Sequence, residues 1–247
     1  MRKLAQISFL SSIFFALISG GFFLLFPDKA ATVMDYVKLK TGGKYSVAQR
    51  LEQFGTAAAS RLAPHFQQAG VAFPPPAITL LAFKDSKRLE LYARDPQGTW
   101  QQVRTYPIQA ASGVLGPKRR EGDRQVPEGI YAIESLNPNS LFHVSLRLNY
   151  PNAFDQQMGL ADGREALGSD IMIHGKAKSI GCLAMGDEVA EELFALAAWV
   201  GKENMRVAIA PTDFRHKPFA QPTSLPWWAG DLYTALRTEL SHYPLGN

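Results

Sequence analysis

The chain has 247 residues, of which 46% are hydrophobic, 11% aromatic and 19% charged, enough apolar material for one sizeable core and an additional segment. This composition excludes a disordered tail and a collagen-like fibre. Lysine and arginine number 26 against 22 aspartate and glutamate, and the positive residues are scattered, so we expect no nucleic-acid partner.

The N-terminus has the pattern of an export segment. Residues 4–26 carry no charge and follow the basic pair Arg2-Lys3, which is typical of a signal peptide or a membrane anchor. Because these 23 residues are about the length that crosses a bilayer, we expect residues 1–27 to be an uncleaved inner-membrane anchor, with a cleaved signal as the alternative. The positive-inside rule then places the rest of the chain in the periplasm.

Residues 28–75 are predicted to form a helical lead-in to the core domain. Between residues 44 and 68 the apolar side chains recur at helical spacing, which predicts an amphipathic helix packed between the anchor and the core: Val47, Leu51, Phe54, Ala58 and Leu62. Pro74-Pro75-Pro76 ends any helix and begins a new unit.

Beyond residue 76 the apolar period changes to two, which predicts a mostly β domain over residues 76–212. The predicted strands lie at 78–83, 89–93, 103–108, 129–134, 142–148, 170–174 and 205–210. One helix is predicted to begin at Asp187 and to end at Gly201. Residues 213–247 form a proline-rich tail with a short predicted helix after Trp227-Trp228, a pair that packs on the core or touches a membrane surface.

The single cysteine, Cys182, follows His174 by eight positions across one polar turn. One cysteine excludes an internal disulfide framework and a multi-cysteine zinc site, and leaves a buried inert thiol, an intermolecular bridge or a nucleophile. An imidazole within reach would take the thiol proton or pair with the thiolate, lowering the thiol pKa, as nucleophilic cysteine catalysis requires. Gly181 would let a carbonyl approach, and the N–H of Gly181 or Cys182 would hold the oxyanion.

The segment from His174-Gly175 to Ser179-Ile180-Gly181-Cys182 resembles the signature of the murein L,D-transpeptidase catalytic domain (YkuD) family. Upstream, Gly116-Pro117-Lys118-Arg119 and Val126-Pro127-Glu128-Gly129-Ile130-Tyr131 resemble the family's glycine-and-basic loop and the strand that follows it. The stretches 136–140 and 150–155 are similar to a YafK-like subgroup. The resemblance covers about residues 76–212, and it implies a β-sandwich domain behind the membrane helix and the amphipathic lead-in helix.

The resemblance also implies roles for four residues. Cys182 would be the nucleophile and His174 its base or ion-pair partner. Ser179 would orient the histidine or line the pocket, and Gly181 would contribute to the oxyanion hole.

Two residues depart from the commonest form of the family signature. Ile180 stands where the family has histidine, and Ala184 stands where it has an arginine that helps to recognise or organise the substrate. Positive charge is available instead from Arg119, Lys176, Lys178 and Arg164, of which the first three are our predicted substrate-binding residues.

The implied reaction is an acyl transfer on peptidoglycan stem peptides. Cys182 would attack the carbonyl of the third stem residue and form a thioester, which an amine or water then resolves. With an amine the protein is an L,D-transpeptidase; with water it is an L,D-peptidase that trims stems or releases a wall-linked lipoprotein. A non-catalytic wall-binding module is a second alternative. A zinc peptidase is disfavoured because no HExxH pattern is present, and no metal or cofactor is expected.

Overall fold

The computed structural model describes residues 44–216, 218–219 and 224–245. The predicted export segment, residues 1–27, lies outside these residues, as does the lead-in up to residue 43. In the described part of the chain, no helix combines the length and the apolar character needed to cross a bilayer.

The predicted amphipathic helix is α1, Val47–Gln68. It begins with a capping box, in which the Ser46 hydroxyl accepts the Gln49 N–H and the Gln49 side chain accepts the Ser46 N–H. Its apolar face is buried, with Phe54, Ala58, Leu62 and Phe66 in the core. This helix packs against the helix that follows the candidate site, so it belongs to the same compact unit.

Within the described residues, nine strands form one continuous sheet in the order β3-β2-β1-β9-β5-β6-β7-β8-β4. The strands are β1 (Ile78–Phe83), β2 (Arg88–Arg94), β3 (Trp100–Pro107), β4 (Ala110–Ala111), β5 (Gly129–Ser140), β6 (His143–Leu148), β7 (Met172–His174), β8 (Leu183–Ala184) and β9 (Met205–Ala210). The pairs β1–β9 and β7–β8 are parallel, and the others are antiparallel.

The long strand β5 makes the sheet curl. Its first residues, from Gly129 to Ala132, pair with β9, and its later residues, from Ile133, pair with β6. The main core draws buried side chains from both halves of the sheet and from the helices. The mostly β architecture with flanking helices is therefore confirmed, but the sheet is single and curled rather than the two separate layers that a sandwich implies.

In the part of the chain that the structure describes, three further α-helices flank the sheet: α2 (Ala153–Ala161), α3 (Asp187–Val200) and α4 (Ala229–Leu240). Helix α3 begins at Asp187 and ends before Gly201, as the sequence predicts. Helix α4 is the predicted tail helix. Its apolar residues pack with Trp228 in a smaller core on the sheet, separate from the main one. Helix α2 was not predicted from the sequence. It begins with a capping box formed by Asn152 and Asp155.

A buried carboxylate fixes the loop that precedes the candidate site. Glu128 forms an ion pair with Lys84 at 3.0 Å, and both side chains are almost fully buried. The same carboxylate accepts the Gly116 N–H at 2.7 Å and the Tyr233 hydroxyl at 2.8 Å. One glutamate thus joins β1, the loop at Gly116 and helix α4.

Candidate active site

Strand pairing brings the loop that carries Cys182 next to the end of the strand that carries His174. His174 ends β7 and lies opposite Ala184 of β8, and Cys182 precedes β8 directly. The two residues therefore lie at the ends of neighbouring parallel strands, with Cys182 only two positions before the residue that pairs with His174.

The His174 ring is held in one orientation. The residue is only 2% exposed, its Nδ1 lies 2.6 Å from the Gly175 carbonyl oxygen, and its ring stacks on Phe142 with centroids 4.5 Å apart. A carbonyl only accepts, so Nδ1 carries the proton and Nε2 keeps a lone pair. Burial lowers the pKa of His174, which keeps the ring neutral. The residue is therefore equipped to act as a base.

The thiol of Cys182 is only partly exposed, and its Sγ lies 3.6 Å from the Asp170 carbonyl oxygen, to which it donates. Burial raises the pKa of Cys182, while a backbone hydrogen bond from Met172 and the charge of Lys118 act weakly in the opposite direction. This differs from the lowered pKa that the sequence led us to expect, because desolvation of the sulfur outweighs the nearby positive charge. In the described residues Sγ is bonded to the Asp170 carbonyl, not to the imidazole.

Ser179 is the centre of a hydrogen-bond cluster around the cysteine backbone. Its hydroxyl donates to the Cys182 carbonyl oxygen at 2.7 Å and accepts the N–H groups of Gly181 at 3.3 Å and Ser112 at 3.2 Å. The Ser112 hydroxyl lies a further 3.1 Å from it. Ser179 therefore bonds to the backbone of Cys182, not to the histidine, and it ties the loop at Cys182 to the chain that follows β4.

Gly181 occupies a conformation that favours glycine, with φ of +125°. A Cβ atom at this position would lie 3.4 Å from the Gln125 carbonyl oxygen, so the neighbouring loop also leaves little room for a side chain. The N–H of Gly181 is directed to the Ser179 hydroxyl in this structure. Its contribution to an oxyanion hole stays a prediction.

The three predicted substrate-binding residues lie in two loops. Lys176 and Lys178 belong to the loop that joins β7 to β8, where the Lys176 N–H donates to the Asp187 carboxylate at 2.8 Å. Arg119 lies in the preceding glycine-and-basic loop, where its guanidinium is 3.5 Å from Asp162. Lys118, which the sequence analysis quoted only as part of a motif, is the lysine whose charge reaches the Cys182 sulfur.

Sequence reasoning missed two residues that support the site, Ser112 and Gln125. The buried Gln125 side chain donates to the carbonyl oxygens of Val114 and Gly116, both at 2.6 Å, and accepts the Val114 N–H. Neither residue lies in a periodic pattern or beside the cysteine in sequence, so no local signal marked it. Among the described residues, no group of three or more His, Cys, Asp or Glu side chains is arranged to hold a metal ion.

Comparison with known proteins matches the model of the YkuD L,D-transpeptidase catalytic domain to residues 79–209. The chain is 37% identical over 134 residues to the protein named "Putative L,D-transpeptidase YafK" from Escherichia coli K12, covering 52% of each chain, and the same values hold for the protein from E. coli O157:H7. The chain thus spans about half the length of the curated relatives it matches.

Solved structures of similar proteins come from other bacteria. The helical cell shape determining protein Pgp2 from Campylobacter jejuni is 24% identical, with a TM-score of 0.43 over 55% of this chain and 48% of Pgp2. Bd1075 from Bdellovibrio bacteriovorus is 20% identical, with a TM-score of 0.40 over 67% of this chain and 54% of Bd1075.

Proposed function

The chain belongs to the YkuD family of L,D-transpeptidase catalytic domains, and we propose that it is a cysteine acyltransferase that cuts the L,D bond of peptidoglycan stem peptides. The observation that supports this proposal is that Cys182 directly precedes β8, the strand that pairs with the end of β7 at His174, whose Nε2 keeps its lone pair. A thiol and a neutral imidazole on neighbouring strand ends are the two groups that nucleophilic acyl transfer requires.

The proposed reaction begins with attack of Cys182 Sγ on the carbonyl carbon of the third stem residue. His174 Nε2 takes the thiol proton as the carbon–sulfur bond forms, and the resulting imidazolium gives that proton to the amine of the departing fourth residue. The C–N bond breaks and a thioester remains. An acceptor amine then attacks the thioester carbonyl and loses a proton to His174; the new C–N bond forms, the C–S bond breaks, and the imidazolium returns the proton to the sulfur, which restores the thiol.

The pKa directions favour proton transfer during attack over a preformed ion pair. Burial raises the pKa of the Cys182 thiol and lowers the pKa of the His174 imidazole, so both groups are neutral at neutral pH. A neutral imidazole accepts a proton, whereas an imidazolium cannot. The base is therefore ready, and the thiolate forms only when an electrophilic carbonyl is in place.

Transfer to an amine and transfer to water share every step up to the thioester. We propose that the acceptor is an amine, which makes the chain an L,D-transpeptidase. The competing outcome is hydrolysis of the thioester, which would trim stems or release a wall-linked lipoprotein. If no thioester forms at Cys182, the chain is instead a wall-binding module without turnover.

Defined muropeptides with tetrapeptide stems test the proposal. We expect the full chain to release the fourth residue and, with an added amine, to give the transfer product by mass spectrometry. Cys182→Ala and His174→Gln should lose turnover, while the control His242→Gln, at an exposed histidine outside the site, should keep it. Unchanged turnover in Cys182→Ala would refute the proposal. Product formation by water alone would assign the peptidase.

The proposal includes a periplasmic location with residues 4–26 as an inner-membrane anchor, supported by their uncharged sequence behind Arg2-Lys3. Fractionation of cells that make the full chain tests it. The protein should stay in the inner-membrane fraction after a high-pH wash, and a version without residues 1–27 should not. Release of the full chain as a shorter periplasmic protein would instead identify a cleaved signal.

A further inference from the structure

A cleft of about 550 Å³ with three arginines lies beside the candidate active site. Arg119, Arg120 and Arg164 line it together with one acidic residue, Asp123. The remaining lining residues come from the loop at 114–117, from Gln125 and from residues 224–226 of the C-terminal segment.

The positive charge of this arginine cleft exceeds the negative charge that faces it. Asp123 is already held by Lys118, whose Nζ lies 2.5 Å from its carboxylate. Asp162, just outside the cleft, is shared between Arg164 at 3.0 Å and Arg119 at 3.5 Å. In total four cations meet two carboxylates there, so the local field attracts an anion.

Arg164 also has unused hydrogen-bonding capacity. Its Nε bonds to Asp162 and its Nη1 donates to the Arg119 carbonyl oxygen, but its buried Nη2 has no hydrogen-bond partner among the described residues. Because Nη2 is enclosed in this structure, Arg164 acts on an anion in the cleft chiefly through its positive charge. Arg120 is exposed at the same cleft.

The C-terminal segment is fixed as one wall of the cleft. A Cβ atom at Gly116 would lie 3.1 Å from Leu225, so the absence of a side chain there lets the segment approach. Trp227 and Trp228 each donate an indole N–H to the Asp162 carboxylate at 3.0 Å. This wall lies beyond residues 79–209, the region that matches the family model.

The cleft adjoins the cysteine through two shared residues. Gln125 lines the cleft, and its carbonyl oxygen is 3.4 Å from the position of a Cβ at Gly181, next to Cys182. Lys118 pairs with the cleft's Asp123 and also acts electrostatically on the Cys182 sulfur. The arginine cleft therefore lies against the loop that carries Cys182.

We propose that the arginine cleft binds a carboxylate of the peptide that is cut at Cys182, so that the site selects acidic stems over amidated ones. This inference rests on the proposed function for its choice of peptide. Guanidinium groups bind carboxylates with paired, charge-assisted hydrogen bonds, and an amide in the same place cannot accept them as strongly.

Two synthetic tetrapeptide stems test the proposal: one with a free carboxylate on its second residue, and one in which that carboxylate is amidated. Calorimetry with the full chain carrying Cys182→Ala, which blocks turnover, should give about tenfold tighter binding of the acidic peptide, the factor set by one good charged contact. Adding Arg120→Gln or Arg164→Gln should reduce that preference. The matched control Arg94→Gln removes an exposed arginine outside the cleft and should leave the preference for the acidic peptide unchanged.

Equal affinity for the two peptides, or binding of neither, would overturn the proposal. So would an unchanged preference in both Arg120→Gln and Arg164→Gln. Arg120 is exposed, so its replacement keeps the inference testable even where Arg164→Gln impairs folding. Turnover is scored separately with intact Cys182: selective binding without cleavage rejects the proposed function and leaves the cleft's anion preference standing.

Discussion

Replacing Ser179 by alanine tests whether the hydrogen-bond cluster around Cys182 positions the nucleophile. The Ser179 hydroxyl donates to the Cys182 carbonyl and accepts N–H groups from Gly181 and Ser112. Alanine leaves those three backbone groups without this partner. Because Ser179 is half-buried, water can reach part of the space that the hydroxyl leaves.

The magnitude follows from the number of bonds lost. A hydrogen bond contributes about 0.5–1.5 kcal/mol to stability, so three of them set an upper range of about 1.5–4.5 kcal/mol. The Gly181 bond is long at 3.3 Å and water replaces part of the rest, so we expect Ser179→Ala to lower the free energy of unfolding by about 1–3 kcal/mol. Turnover should fall by more than this loss of folded protein explains, because the backbone that carries the sulfur is no longer fixed.

Urea denaturation gives the stability change, and release of the fourth stem residue by the folded protein gives kcat and KM. Ser179→Thr keeps the hydroxyl and should restore kcat, while Ser60→Ala, at an exposed serine of helix α1, is the control for loss of a serine hydroxyl. A fall in kcat that threonine does not restore, or stability and kcat both unchanged in Ser179→Ala, would refute the positioning role.

Three other measurements follow from the same structure. Iodoacetamide should alkylate Cys182 more slowly at pH 7 than it alkylates free cysteine, and faster as the pH rises, because burial raises the pKa of the thiol; faster alkylation at pH 7 would contradict this. Burial lowers the pKa of His174, so the midpoint of the acid limb of kcat/KM should lie below the ordinary histidine value of about 6.5; a midpoint above that value would contradict a neutral base. Glu128→Gln should lower the free energy of unfolding, measured by urea denaturation, by about 3–5 kcal/mol, because it leaves the buried Lys84 charge without its carboxylate. A decrease under about 1 kcal/mol would show that the ion pair is dispensable.

The apolar periodicity predicts the parts of the fold in which one strand or helix face is buried. Strands β1 and β9 appear at 78–83 and 205–210 as predicted, α3 appears at its predicted position, and the predicted apolar face of α1 packs against the core. Strand β5 continues to Ser140, beyond the predicted end at 134. The residues Asn137-Pro138-Asn139 are typical of a turn, but pairing with β6 across two register shifts keeps them in the sheet.

The supporting contacts of the site could not be predicted from the sequence. Ser112 and Ser179 are 67 positions apart, and Glu128 and Tyr233 are 105 apart. Such pairs depend on which strands become neighbours, and periodicity carries no information about that order. The direction of the Cys182 pKa shift could not be predicted for the same reason. The sequence shows a nearby histidine, but burial of the sulfur in the folded chain raises the pKa of the thiol.

The hydrogen bond from Cys182 to Asp170 defines what substrate binding has to change. In this structure the thiol donates to the Asp170 carbonyl at 3.6 Å, so its proton is directed to that oxygen and not to His174 Nε2. A sulfur hydrogen bond of this length is weak, so little free energy is lost when the thiol gives it up. The His174 ring, by contrast, is fixed by the Gly175 carbonyl and by Phe142. In the proposed reaction the thiol therefore has to exchange its bond to the Asp170 carbonyl for one to His174 Nε2 before its proton is transferred, so we expect the thiolate to form only during attack on a bound peptide.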